Sequence, residues 1–288
     1  MIKYSVIICS YNRFKLLDET IDSVLNVVKN RGDIEILLID NNSNDGTAEL
    51  KHRFKSHQIV KYFLETKQGL SHARNRGIKE SVGEILVYLD DDIELVKNYF
   101  EICDETFLNS SISISGGKVL PHKIKIPIWL PEKYYFLVSV FDCGNSPKFV
   151  KHLMGGNFAI RKKDALRIGF YNNELGRNGT SLGGGEETEY QDRAAIMGYK
   201  MRYNPKQNIL HKINNKLNED YVLLYSKGIG KSLRIIDESV SKWVVLRKVI
   251  KWYIALFFCK ILLRLTNNKK KEIHLKIINQ YAIGYLNK

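Results

Sequence analysis

Three successive carboxylates stand at the end of an apolar run in the first third of the chain. Asp90, Asp91 and Asp92 directly follow the segment ILVYL. Adjacent carboxylates repel one another unless a cation or several hydrogen-bond donors lie among them. Mg²⁺ or Mn²⁺, with water and a phosphate completing its coordination, would supply the missing charge. Capping of a helix that begins near Leu95 is the alternative, but three aspartates together after a buried strand favour the metal.

Polar residues also follow two earlier apolar runs. Ser10, Tyr11 and Asn12 come after YSVIIC, and Asp40 with Asn41 comes after IEILLI. Turn formation is an equally good explanation for the second group, because Asn, Asp and Ser are common in turns. Both groups become candidate ligand contacts if the runs before them are neighbouring strands of one sheet.

The runs have the pattern of a parallel sheet. Residues 4–9, 35–40 and 84–89 are short and rich in Val, Ile, Leu and Tyr, which is typical of strands buried on both faces, and 60–64 is a weaker fourth strand. Helical spacing of apolar residues predicts helices between them, at 16–28, 47–54 and 70–81. In such α/β sheets ligands bind at the carboxyl ends of the strands, so the polar groups above should meet there.

Two common nucleotide-binding motifs are absent. No G-x-G-x-x-G follows the first strand, and Tyr225 stands where a phosphate-binding loop ending in Gly230, Lys231 and Ser232 would need its first glycine. Residues 118–147 hold four of the five prolines and are predicted to be irregular. A helix at 188–197 should resume the regular structure, and basic helices should end the chain.

Four segments together resemble a known family. They are YSVIICSYNR, ILLIDNNSNDGT, GLSHARNRGIKESVGEILVYLDDD and GGGEETE, in that order within residues 3–212. Their order and spacing resemble those of the inverting family 2 nucleotide-sugar glycosyltransferases of bacterial cell-surface polysaccharide synthesis. The resemblance implies the GT-A fold, an α/β architecture with a Rossmann-like, mixed but mostly parallel sheet and flanking helices. It also implies transfer of a hexose from a nucleoside diphosphate sugar, usually a UDP-sugar, to an acceptor hydroxyl.

The resemblance implies a role for each matching residue. Ser10, Tyr11 and Asn12 would surround the nucleobase, and Asp40 would accept its N–H. Arg74 and Asn75 would contact the donor, while Gly156 and Asn157 would border its sugar. Asp90 would lie near the ribose and, with Asp92 and His211, near a Mn²⁺ or Mg²⁺ ion; Asp91 belongs to the same donor-binding group. His211 has an alternative role as an ordinary core or surface histidine.

The resemblance also implies a catalytic base. In the family, the second acid of a Glu-Asp pair takes the proton from the acceptor hydroxyl. This chain has Glu186 and Glu187 there, so glutamate replaces the usual aspartate and the base assignment lies between the two. Both acids would also favour the N-terminus of the following helix.

Positive charge is concentrated at the end of the chain. Of a net +14, residues 241–288 carry +10, from eleven basic residues and one acidic residue. We expect two helical pieces there that bind an anionic membrane surface, where a lipid-linked or growing glycan acceptor would lie. Packing on the catalytic domain or a homodimer contact is the alternative. No nucleic-acid partner is expected.

Two other functions remain to be compared with transfer. A non-enzymatic basic module on a GT-A scaffold, binding membrane or nucleic acid, would fit the charge but not the intact carboxylates. A sugar nucleotidyltransferase would need a glycine-rich basic loop, which CSYNRFKLLDE lacks.

The expected organisation is a catalytic domain over 1–215 and a basic helical tail over 216–288. The domain would have a nucleotide-binding half, 1–95, and an acceptor half, 96–215. Four scattered cysteines and the lack of an N-terminal signal predict a cytoplasmic protein, peripheral on the inner face of the plasma membrane.

Overall fold

The computed structural model describes residues 1–179 and 181–287, which form a mixed α/β structure. The strands are β1 Tyr4–Ser10, β2 Ile34–Asp40, β3 Val60–Leu64, β4 Ile85–Leu89, β5 Ile93–Leu95, β6 Ile114–Gly116, β7 Val119–Pro121, β8 Lys148–Val150, β9 Asn157–Arg161, β10 Met201–Tyr203 and β11 Ile209–His211. The helices are α1 Phe14–Val28, α2 Leu50–Arg53, α3 Leu70–Glu80, α4 Tyr99–Leu108, α5 Lys162–Ile168, α6 Glu186–Ile196, α7 Glu219–Val240, α8 Lys242–Leu265 and α9 Lys269–Leu286. Short 3-10 helices lie at Thr47–Glu49, Glu132–Val138 and Asn214–Lys216.

Within the described residues, the main sheet has eight strands in the order β3-β2-β1-β4-β9-β6-β10-β8. Strands β3, β2, β1 and β4 are parallel, whereas β9 runs antiparallel to both β4 and β6. The parallel half confirms the predicted βαβαβ start. Because β1, β2 and β4 end on the same edge, Ser10, Asp40 and the aspartates after Leu89 are brought to that edge.

A second, three-stranded sheet has the order β5-β11-β7. Strand β11 pairs antiparallel with β5, so that His211 lies opposite Ile93, one residue after Asp92. The register therefore carries His211 to the aspartates, although almost 120 residues separate them in the chain.

Apolar side chains cover both faces of the main sheet. On one face, Val6 and Ile8 of β1 pack in a cluster with Leu17 and Ile21 of α1. On the other face, Ile7 belongs to a cluster with residues of α3, α5 and α6. Alternate residues of a strand point to opposite faces, so this two-sided burial explains the continuous apolar runs of the sequence.

Contacts divide the described chain into two compact units. The first comprises 1–122, 140–173 and 187–212, and the second comprises 123–139, 174–186 and 213–288. The second unit thus contains the expected tail together with two segments that we had expected in the catalytic domain. Its helices α7 and α9 cross closely, because a Cβ atom on Gly230 would lie 2.2 Å from the Tyr281 carbonyl oxygen.

The described part of residues 241–288 contains two helices, α8 and α9, as expected, but the position of the break differs from the one that the charges suggested. Lys242–Leu265 is a single helix, so no break separates Lys251 from Lys260. The two pieces were inferred because the basic residues fall in opposite helical sectors. An uninterrupted run of residues without Gly or Pro forms one helix regardless of where its charges point.

Candidate active site

The ends of β1 and β4 meet around buried aspartates. The Ser10 hydroxyl donates to Asp91 Oδ2 at 2.6 Å. Arg13 Nη1 donates to Asp91 Oδ1 at 2.7 Å and to Asp92 Oδ2 at 2.9 Å. Burial raises the pKa of the Asp91 carboxyl, Arg13 opposes that shift, and the Asp92 charge adds to it. The two carboxylates in turn raise the pKa of Arg13, with Asp91 contributing most.

Arg13 was not among the predicted site residues. Its side chain supplies the positive charge that the aspartate run requires, and it does so three residues beyond the end of β1. The repulsion among the three aspartates, which predicted a metal ion, could equally have predicted a nearby arginine such as the one in the SYNR segment. The structure therefore accounts for part of the aspartate cluster without a metal.

Asp90, Asp92 and His211 form a group that could hold a metal ion. One ligand atom from each residue can be chosen so that all lie within 4.8 Å of one another. His211 Nε2 is hydrogen-bonded to Asp92 Oδ1 and lies 3.7 Å from Asp90 Oδ2. His211 and Asp92 are buried, whereas the Asp90 side chain is 33% exposed and can face a ligand. Two carboxylates and an imidazole are a donor set that suits Mn²⁺, with water and phosphate oxygens completing the coordination.

A Gly-Gly step lies between this group and a second set of charged residues. A Cβ atom on Gly156 would lie 2.3 Å from Asp90 Cγ, so the backbone there touches the Asp90 carboxylate. A Cβ atom on Gly155 would lie 2.9 Å from Arg74 Nη2 and 3.2 Å from Glu187 Cβ. Arg74 Nη1 and Glu187 Oε2 are 3.9 Å apart. Residues from separate segments of the sequence thus meet around two glycines.

The two glutamates at the start of α6 have different surroundings. Glu187 belongs to the first unit with Arg74, and its Oε2 atom is buried without a hydrogen-bond partner among the described residues. Glu186 belongs to the second unit and is 3% exposed. It lies against Gly176, where a Cβ atom would be 3.2 Å from its Cδ atom. Glu187 therefore lies beside Arg74 and Gly155, whereas Glu186 lies beside Gly176, and the choice of the base between the two stays a prediction.

The loops after β1 and β2 are tied together. The Asn12 N–H donates to Ser43 Oγ at 3.0 Å, and Asn12 Oδ1 accepts from the Asn44 N–H at 2.8 Å. Asp40 Oδ1 accepts from the Ser43 N–H at 2.9 Å, and Asp40 Oδ2 accepts from the Tyr62 hydroxyl at 2.6 Å. Each carboxylate oxygen has a second lone pair, so Asp40 can still accept a further N–H.

Two tyrosines lie close to these loops. Tyr11 is partly buried directly after β1, next to Asn12 in the chain. Tyr62 of β3 was not predicted, because a tyrosine on a weak strand carries no motif. Its position follows from the pairing of β2 with β3.

Asn75 and Asn157 use their amides within the protein. Asn75 Nδ2 donates to the Tyr171 carbonyl oxygen at 3.0 Å, and Asn75 Oδ1 accepts from the Tyr171 N–H at 2.8 Å. Asn157 Nδ2 donates to the Lys118 and Gln207 carbonyl oxygens at 3.0 and 2.9 Å. These contacts fix the segments on which the site is built. Contact of either side chain with a donor stays a prediction.

Comparison with known proteins agrees with this geometry. Residues 5–169 match the family model described as glycosyl transferase family 2. The chain belongs to that family, and it is a glycosyltransferase with the GT-A fold. This assignment decides against the nucleotidyltransferase and the non-enzymatic module.

Two relatives and one solved structure illustrate the similarity. A glucosyl-dolichyl phosphate glucuronosyltransferase of Haloferax volcanii is 24% identical over 82% of this chain and 77% of its own. A GalNAc(5)-diNAcBac-PP-undecaprenol β-1,3-glucosyltransferase of Campylobacter jejuni is 38% identical over 33% of this chain and 31% of its own. A mannosyltransferase of Pyrobaculum calidifontis, solved with GDP-mannose and Mn²⁺, superposes with a TM-score of 0.66 at 15% identity, covering 99% of this chain and 87% of its own.

Proposed function

We propose that this glycosyltransferase is metal-dependent and inverting, and that it moves a hexose from a UDP-sugar to the hydroxyl of a lipid-linked or growing surface glycan. The observation that carries the proposal is the meeting of Asp90, Arg74 and Glu187 around Gly155 and Gly156. One neighbourhood then offers a base, a cation and a carboxylate of the possible metal group, which are the groups that displacement of a diphosphate requires.

Glu187 provides the base in this proposal. Its buried Oε2 atom, which has no hydrogen-bond donor among the described residues, takes the proton of the acceptor hydroxyl. The hydroxyl oxygen then forms its bond to the anomeric carbon from one face of the sugar, while the bond to the diphosphate breaks on the opposite face. The absence of side chains on Gly155 and Gly156 leaves room for the sugar beside these groups.

The diphosphate is held by charge. Arg74 is 4% exposed and lies close to Glu187, so its guanidinium can bind a phosphate oxygen next to the reacting carbon. Asp90, Asp92 and His211 would hold Mn²⁺ or Mg²⁺, which would neutralise the charge that develops on the leaving diphosphate. The solved mannosyltransferase with Mn²⁺ and a nucleotide sugar supports this assignment.

The nucleobase is assigned to the tied loops after β1 and β2. Asp40 accepts an imide N–H through a free lone pair, and Tyr11 stacks on the base. Ser10 and Asn12 hold the two loops in place through Asp91 and Ser43. The uracil imide is a single N–H donor, which one carboxylate can bind.

The acceptor and location are proposed from the relatives. The names of the two relatives include dolichyl phosphate and undecaprenol, which are membrane lipid carriers. We place this enzyme on the cytoplasmic face of the plasma membrane as a peripheral protein. Over the described part of the chain, the helices lack the combination of length and apolarity needed to cross a bilayer.

A transfer assay tests the proposed function. Purified protein would be given radiolabelled UDP-sugars and GDP-sugars with polyprenyl-linked acceptors, in Mn²⁺ and in EDTA. We expect Mn²⁺-dependent transfer from one UDP-sugar. Transfer from a GDP-sugar alone would overturn the assignment of uracil as the donor's nucleobase. Full activity in EDTA would overturn the proposed metal dependence.

A further inference from the structure

Helix α8 exposes one apolar face along its whole length. Side chains on this face are 50% to 73% exposed: Trp243, Leu246, Ile250, Ile254, Phe257 and Leu265. At 100° per residue these six fall within a central stripe about 100° wide, which is about 33 Å long at 1.5 Å per residue. Tyr253, Phe258 and Leu262, which are 61%, 55% and 45% exposed, widen the exposed apolar surface to about 180°. The opposite side of the helix is packed, since Cys259 is 4% exposed and the Trp252 ring lies 6.0 Å from the Tyr285 ring of α9.

Basic residues lie along both sides of the central stripe, among the exposed apolar side chains that widen it. Lys251 lies about 40° outside the stripe in one direction, and Lys242 and Lys260 lie about 40° outside it in the other. Arg247 and Arg264 stand at its two edges. Lys248, farther from the face, is bonded to Asp237 of α7 at 2.7 Å. No acidic residue occurs between Lys242 and Leu265.

The positive charges indicate what binds to the apolar face of α8. An apolar stripe with cations along both edges matches a helix that lies in the plane of an anionic membrane surface, where apolar side chains enter the lipid and lysines reach back to the headgroups. In a symmetric contact with a second copy, the same patch would meet itself, and the flanking cations of both helices would be brought together without a single acid. The structure therefore favours lipid over a dimer partner.

We propose that α8 docks flat on an anionic bilayer through this apolar face, with its flanking lysines on lipid phosphates. The proposal deepens the proposed function and rests on it only for the reason to dock, which is a lipid-linked acceptor. Insertion of the apolar side chains into the lipid and attraction of the lysines to lipid phosphates are separate contributions to binding. Each can therefore be removed by its own set of substitutions.

Vesicle flotation tests both contributions. The full chain would be floated with vesicles of phosphatidylcholine alone and of phosphatidylcholine with phosphatidylglycerol. A face variant carries Leu246→Gln, Ile250→Gln and Phe257→Gln, and a flank variant carries Lys242→Gln, Lys251→Gln and Lys260→Gln. Glutamine is a good helix former, so both variants should keep α8. A matched control carries Leu108→Gln, Leu166→Gln and Ile196→Gln, which are 83%, 55% and 87% exposed in the first unit.

We expect wild type and control to float with the anionic vesicles. Both α8 variants should partition into these vesicles with coefficients lower by about tenfold or more. Loss of three apolar side chains from the lipid, or of three positive charges from its surface, should each weaken binding by more than the free energy of a tenfold change. Equal flotation of wild type and face variant would overturn the proposal, and so would no flotation of the wild type. A wild-type dimer in light scattering that the face variant dissociates would assign the face to a second copy instead.

Donor turnover in the absence of vesicles separates the two proposals. It would be measured on the same protein samples with the polyprenyl-linked acceptors of the transfer assay, dispersed in detergent. Flotation without turnover would leave docking intact and overturn the proposed function. Turnover without flotation would overturn docking alone.

Discussion

Glu187→Gln is expected to reduce transfer by about 10²-fold or more, with donor affinity nearly unchanged. Glutamine keeps the size of the side chain and cannot accept the proton of the acceptor hydroxyl at neutral pH. Arg74 and the metal group remain, so the diphosphate should bind as before. Turnover would be measured by product formation, and donor affinity by calorimetry with UDP.

Two neighbouring glutamates serve as controls for this substitution. Glu189 lies on the same helix, but its carboxylate is held by Arg193 at 2.6 Å, so Glu189→Gln should leave turnover close to wild type. Glu186→Gln should have the smaller effect of the adjacent pair, because Glu186 lies against Gly176 rather than beside Arg74. A larger loss from Glu186→Gln would reverse our assignment of the base.

Asp92→Asn is expected to abolish measurable Mn²⁺ binding and to reduce transfer by at least about 10²-fold. Replacement of a residue that merely supports a ligand costs 10-fold to 100-fold in metal affinity or activity, so loss of a charged ligand should cost no less. Asparagine keeps the shape of the side chain, and Arg13 retains its contact with Asp91. Mn²⁺ binding would be followed by electron paramagnetic resonance, and the fold by thermal unfolding.

Gly156→Ala provides a second variant that disturbs the same metal group without replacing any of its three residues. The added Cβ atom would lie 2.3 Å from Asp90 Cγ and must displace that carboxylate. Mn²⁺ affinity should fall by about 10-fold to 100-fold. Gly32→Ala is the matched control, because nothing lies within 4 Å of its added Cβ atom. Unchanged Mn²⁺ affinity in both Asp92→Asn and Gly156→Ala would show that these residues hold no metal.

The parallel half of the sheet could be predicted because its strands are buried on both faces. Such strands have long apolar runs, and β1, β2 and β4 begin and end within one residue of the predicted limits. The second sheet could not be predicted in the same way. Its strands β5, β7 and β11 have three residues each, too few for a periodic pattern, and their pairing depends on contacts distant in the chain.

In the candidate site too, residues next to a strand end could be predicted, whereas residues brought in from distant parts of the chain could not. Asp90 and Asp92 are adjacent to a strand end, so the fold class alone predicts where they lie. The partners Arg13 and Tyr62 were missed because a single arginine or tyrosine has no distinctive spacing. Their roles follow from which strands pair and which loops meet.

The tail illustrates a limit of charge patterns. Its basic residues were found from the sequence, but their two sectors were assigned to two helical pieces. In the structure, the basic residues from Lys242 to Arg264 lie on one continuous helix, α8, most of them beside its exposed apolar side chains. That relation depends on which side of α8 is covered by its neighbours, and the sequence of α8 is apolar on both sides.

The configuration of the newly formed glycosidic bond tests the central claim most directly. In our account, Glu187 deprotonates the acceptor and the hydroxyl attacks opposite the leaving diphosphate in a single displacement. Nuclear magnetic resonance of the product made from an α-linked donor should therefore show a β-linked sugar. An α-linked product would contradict the account, because retention requires a route in which Glu187 does not act as the base of a single displacement.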